Sequence, residues 1–104
     1  MGILVICSYR PRAGHEEEAR LLMAGHVPLL RAHGLITDRP VVQGLTKDGE
    51  LVEIFEWESV EKSRGAPAIA EIGQHWKAMG EVMDFVPLAQ LAEAQQAFAH
   101  FTPL

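Results

Sequence analysis

Asp48-Gly49 stands between two apolar runs rich in β-branched residues, Pro40 to Thr46 and Leu51 to Trp57. This pairing constrains the chain more than any other feature. An Asp-Gly pair in so short a connection supplies a residue at positive φ and folds its flanks into an antiparallel hairpin. On each side of the hairpin lies a stretch of helical period. Upstream, Ala19, Leu22, Met23, His26, Leu29, Leu30 and His33 share one stripe. Downstream, Ile69, Ile72, Gly73, Trp76, Met79, Gly80 and Met83 share another. Beyond the helices come Ile3 to Cys7, apolar at both parities and so buried on both faces, and Phe85 to Leu91. The order is βαβ–βαβ.

Right-handed βαβ connections interleave two such halves into one antiparallel sheet of four strands, ordered 4-1-3-2. Pro40 and Pro87 suit that order, because proline is tolerated at sheet edges and strands one and three are free of it. The expected fold is α+β and ferredoxin-like, one domain over residues 1–104. Local signals agree. Glu16, Glu17 and Glu18 complement the first helix's dipole, and Pro28, which removes one donor, is expected to bend that helix. Gly34 ends it, Ser59 caps the next, and Gly65-Ala66-Pro67 interrupts and restarts it. A short amphipathic tail is expected from Glu93 to Phe101, burying Ala94, Ala97, Phe98 and Phe101.

Two helices cover one face of such a sheet. Strand three presents Leu51, Phe55 and Trp57 to one side and Val52 and Ile54 to the other, so a lone copy leaves an apolar face in water. A second copy, sheet against sheet, is the expected cover.

Composition excludes several function classes. With 9 Lys+Arg against 14 Asp+Glu the formal charge is -5, unsuited to a phosphate backbone, so no nucleic-acid partner is expected. No apolar stretch approaches the roughly 20 residues of a membrane span, and no secretory signal opens the chain. A single cysteine, Cys7, rules out an internal disulfide, and the expected location is the cytoplasm. The sequence has no Gly-rich phosphate loop, no G-x-S-x-G, no H-E-x-x-H and no C-x-x-C, so neither cofactor nor metal site is expected.

Tyr9-Arg10-Pro11, Gly34-Leu35-Ile36-Thr37-Asp38, Asp48-Gly49 and Glu53-Ile54-Phe55-Glu56-Trp57 form a pattern with Trp76-Lys77-Ala78-Met79 and Phe98-Ala99-His100-Phe101. As a pattern over nearly the whole chain, this resembles the dimeric α/β-barrel superfamily, and within it the antibiotic biosynthesis monooxygenase-like branch. The resemblance implies a sheet-to-sheet homodimer, a ligand cavity between sheet and helices, and oxidation of a small aromatic or polyketide-like molecule without metal or flavin. The haem-degrading branch places an Asn on strand one. Here that strand ends Cys7-Ser8-Tyr9, which disfavours haem breakdown although His75 and Trp76 are similar to the branch's other two residues.

Candidate site residues follow from their places in the pattern. His26, inside the first stripe, is either a core histidine or the acid–base group of a cavity. Glu53 shares a strand face with Phe55 and Trp57, and serves either as a partner of Arg10 or as the carboxylate that orients His26. Trp76 and Trp57 are candidate walls for a flat ligand, though core packing is the simpler role. His75 sits at the border of the second stripe, and Tyr9 is a sheet-rim or ligand-binding hydroxyl. His33 belongs to the helix end, and His15 and His100 to the surface. Three functions compete: an oxygen-using enzyme, a ligand-binding or stress-related barrel without catalysis, and an interaction module.

Overall fold

The computed structural model describes residues 2–104. Strand β1 (Ile3–Pro11) pairs antiparallel with β3 (Leu51–Trp57) along its length, setting Cys7 opposite Glu53 and Tyr9 opposite Leu51. Strand β4 (Met83–Val86) joins the other edge of β1, but only alongside Ser8 to Pro11. Strand β2 (Val42–Leu45) flanks β3, and β5 (Thr102–Pro103) flanks β2. The sheet is thus antiparallel throughout, in the order β4-β1-β3-β2-β5. Helices α1 (Glu16–Ala32), α2 (Val60–Gly65) and α3 (Ala70–Val82) complete an α+β fold of ferredoxin-like character.

The hairpin is built as its sequence demands. The Gly49 N–H meets the Thr46 carbonyl at 3.1 Å and Thr46 N–H meets the Glu50 carbonyl at 2.9 Å, with Gly49 at φ 94°. This is a type I turn closed by a glycine in the left-handed region. Ser59 Oγ accepts from Lys62 N–H at 3.1 Å, and Gly34 follows α1 at φ 68°. Helix α1 continues through Pro28 without a break.

Three sequence expectations are corrected. The fourth strand occupies Met83–Val86 rather than Phe85 to Leu91, because Pro87 has no N–H to extend the ladder and the chain turns into a 3-10 segment at Leu88–Gln90. Pro40 precedes β2 and Pro87 follows β4, so neither lies within a strand. The prolines that do are Pro11, at the end of β1, and Pro103, on the true edge strand. The tail is not an amphipathic helix: after a 3-10 turn at Ala92–Gln95 it returns as β5, a strand the pattern missed. Ala94, Ala97 and Phe98 are exposed, Phe98 at 84%.

Side-chain parity divides the sheet. Cys7, Tyr9, Leu51, Glu53, Phe55 and Gln43 face the helices, where Met23, Val27, Leu30, Ile72 and Met79 close the core. The opposite face carries Leu4, Ile6, Val42, Val52 and Ile54. The C-terminal tail covers part of it, with Phe101 laid on Gly44, yet Leu4 and Val42 remain 60% exposed.

Candidate functional site: a buried carboxylate relay beside a cavity

Glu53 has no solvent exposure, yet it carries a carboxylate into the apolar layer between sheet and helices. Such a group must be hydrogen-bonded in full. Three elements meet that demand. From β1, the Tyr9 hydroxyl donates to Oε1 at 2.6 Å. From α1, Nδ1 of His26 donates to the same oxygen. From β2, Gln43 Nε2 donates to Oε2 at 3.2 Å and also contacts the Met23 carbonyl at 3.4 Å. Strand register explains the convergence, since Gln43 and Cys7 flank Glu53 on its two neighbouring strands and Tyr9 is two residues along on the same face.

Helix α3 adds the fourth member. The Trp76 indole N–H donates to Nε2 of His26 at 2.8 Å. An indole N–H only donates, so Nε2 is an acceptor and His26 is the neutral tautomer with its proton on Nδ1, directed at Glu53. The ring is 3% exposed and packs edge-on to Phe55 at 5.7 Å between centroids. Trp76, His26, Glu53 and Tyr9 therefore form one continuous chain of hydrogen bonds.

A cavity of about 370 Å³ opens beside this chain, at the edge of β1 that β4 leaves unpaired. Its walls include Val5, Phe55, Trp57, Met79, Phe85 and Leu88, with Tyr9, His26, Cys7 and Trp76 supplying polar atoms. That size and that mixture of apolar walls with few convergent polar groups suit a small-molecule site. No Lys or Arg side chain among the described residues lines it. Among the described residues, no group of three His, Cys, Asp or Glu side chains is placed to hold a metal ion. No helix among the described residues is long and apolar enough to cross a membrane.

Burial sets the chemistry of the wall residues. It pushes the Tyr9 hydroxyl far above the usual phenol range, with the charges of Glu53 and Cys7 acting in the same direction. Burial likewise pushes the Cys7 thiol up to about 11; the hydrogen bond with Tyr9 opposes this and the Glu53 charge reinforces it. Both groups are protonated at neutral pH, so neither is a nucleophile there. On the surface, a hydrogen bond from Thr37 lowers the Glu56 carboxyl below its ordinary value, and Arg39 helps.

The candidate residues separate clearly. His26, Glu53, Tyr9 and Trp76 come together in the relay, and Trp57 lines the same cavity. His75 does not line it. Its Nε2 donates to the Leu22 carbonyl at 2.9 Å, and its ring stacks near-parallel to His26 at 6.0 Å, fastening α3 to α1 where Gly25 leaves room. Glu53 is not the partner of Arg10, because Arg10 projects from the other face of β1 and pairs with Glu50 at 3.2 Å. Tyr9 is not a rim residue but a buried one. His33, at the end of α1, binds Glu71 at 2.7 Å. Gln43 was not a sequence candidate. Its only signal is its parity, which it shares with Leu45 and which turns an amide toward the helices.

No family model, curated protein or solved structure matches this chain.

Proposed function

We propose that the cavity binds a small hydroxylated aromatic or polyketide-like molecule and that His26, oriented by Glu53, accepts the ligand's hydroxyl proton. The observation that carries this reading is the hydrogen-bonded pair of His26 and Glu53, which holds Nδ1 protonated and makes Nε2 the acceptor nitrogen, bonded to the Trp76 indole N–H beside a mostly apolar cavity. Removing the proton from an electron-rich phenol makes the ring a reductant for dioxygen. One oxygen atom then enters the ring and the other leaves as water, giving a quinone, with all electrons supplied by the substrate. The protein's part is to exclude water, place the ring and take the proton. This is the chemistry implied by the resemblance to antibiotic biosynthesis monooxygenases, and it calls for no metal or flavin. Oxygen uptake with a panel of phenols and quinols tests it. The expected result is uptake that His26→Gln abolishes. No uptake with any member, or uptake unaffected by His26→Gln, contradicts it.

A ligand-binding barrel without catalysis is the second reading. It draws support from the fact that both ring nitrogens of His26 are already bonded within the protein. Ligand binding without oxygen uptake is the result that selects it.

The proposal includes a homodimer with the outer sheet faces packed together, supported by the exposure that Leu4, Ile6 and Val42 keep despite the tail. A monomeric mass in light scattering at micromolar concentration contradicts it. A cytoplasmic site belongs to the same reading and rests on the lone free thiol of Cys7.

A further inference from the structure

We infer that Trp76 Nε1–H and His26 Nε2 form a two-point clamp for a neutral hydroxyl group, which makes Trp76 a catalytic residue and selects a hydroxyl over an ether or a carboxylate at this cavity. The inference rests on the cavity being a ligand site and adds what that site selects.

The two nitrogens are 2.8 Å apart at the cavity wall, one a donor only and the other an acceptor only. A hydroxyl is the simplest group that complements both. Inserted between them, its O–H donates to Nε2 and its oxygen accepts from the indole N–H. One internal hydrogen bond is exchanged for two. For this, the nitrogens separate to roughly 4.5 Å, given an oxygen about 2.8 Å from each. Trp76 is only partly buried, and the space beside Gly80 on the same helix is open.

Other groups fit worse. An ether oxygen accepts from the indole but leaves Nε2 unpaired, so its net count is unchanged and a buried acceptor is lost. A carboxylate likewise accepts from the indole, but it then faces the Nε2 lone pair with the Glu53 charge behind it and no Lys or Arg lining the cavity.

The same clamp serves proton transfer. The hydroxyl proton moves to Nε2, the ligand oxygen becomes an oxyanion, and the imidazolium lies between it and the Glu53 carboxylate. The net charge of the site does not change. The oxyanion is then held by two N–H donors, from Trp76 and from His26.

Calorimetric titration of the full-length protein with 1-naphthol, 1-methoxynaphthalene and 1-naphthoate, repeated with His26→Leu, tests the clamp. The expected result is that 1-naphthol binds the native protein about tenfold or more tighter than either analogue, the worth of one hydrogen bond left unmade. In His26→Leu the preference over the ether should shrink to about threefold or less, since the acceptor that only the hydroxyl can use is gone. Equal binding of naphthol and its methyl ether by the native protein overturns the clamp and leaves the cavity reading intact. So does tighter binding of naphthoate, or a preference over the ether that His26→Leu retains in full. Absence of binding by all three overturns the cavity reading itself, and the clamp with it.

Discussion

His26 and Glu53, 27 residues apart in sequence, are joined by a hydrogen bond that buries both side chains between α1 and β3. The carboxylate holds the imidazole in one tautomer, and the imidazole supplies one of the three donors that make a buried carboxylate tolerable.

Removal of that carboxylate should therefore cost stability as well as function. In Glu53→Ala, the His26 Nδ1–H and the Tyr9 hydroxyl lose their common acceptor and Gln43 loses one of two. A loss of about 3 kcal/mol is expected in urea denaturation. Glu53→Gln keeps the volume but turns an amide NH₂ toward Gln43 or His26, and about 2 kcal/mol is expected. A change under half a kcal/mol in both would show that the relay does not hold the core.

Alkaline stability should report Cys7 and Tyr9. Both groups hold their protons more tightly in the folded protein than the ordinary 9.0 and 10.0 of a free thiol and phenol. The unfolded chain therefore loses protons first as pH rises, and stability falls. The Cys7 contribution is complete below pH 9 and is lost as pH passes from 9.0 to about 11. The Tyr9 contribution begins to fall above pH 10. Melting curves between pH 8 and 11 should show this descent, and Tyr9→Phe should flatten its upper limb. Identical limbs in the two proteins would contradict the burial account of Tyr9.

The tail should be part of the folded body despite its exposure. Leu91 is buried, Glu93 accepts from the Lys47 N–H at 2.9 Å, and Leu104 N–H reaches the Gln43 carbonyl at 3.0 Å. Deletion of the residues after Leu91 should lower the melting temperature by several degrees, on the scale of about 1–2 kcal/mol. Gly44→Val tests the same contact from the sheet side. A Cβ there meets the Phe101 Cβ at 3.1 Å and the Thr102 carbonyl at 3.3 Å, so amide exchange at Thr102 and Leu104 should accelerate. Unchanged melting in the truncated chain would show the tail to be free.

Hairpin, helices and the bounds of β3 are legible in the sequence because each rests on a local signal: Asp48-Gly49, the two apolar stripes, and a run that starts at Leu51 and ends at Trp57. His26 and Glu53 stand out as polar residues on apolar faces. The side of the sheet that Glu53 occupies is not legible, since strand parity names two faces without saying which one the helices cover. Gln43 escapes notice because an isolated glutamine in a short strand reads equally well as a solvated residue. The end of β4 is misread because Phe85 to Leu91 stays apolar past Pro87, and β5 because Phe98 and Phe101 are spaced like a helix. In the latter case a tertiary contact, Phe101 on Gly44, outweighs the local period.

Trp76 should matter more to ligand affinity than any surface histidine. Trp76→Phe removes part of the apolar cavity wall and should weaken binding of a phenol about threefold or more. His15→Ala, at the exposed start of α1, should leave it unchanged. Equal losses in both variants would place the ligand elsewhere.

The most direct test follows His26 itself by nitrogen-15 NMR, with and without saturating 1-naphthol. In the free protein, Nδ1 should give the signal of a protonated nitrogen and Nε2 that of an unprotonated one, with the Trp76 indole N–H shifted by its bond to Nε2. On binding, the Nε2 signal and the Trp76 indole proton should move together while Nδ1 remains protonated. Saturation with the phenol that leaves both the Nε2 and the indole signals in place would contradict the account and make His26 a purely structural residue.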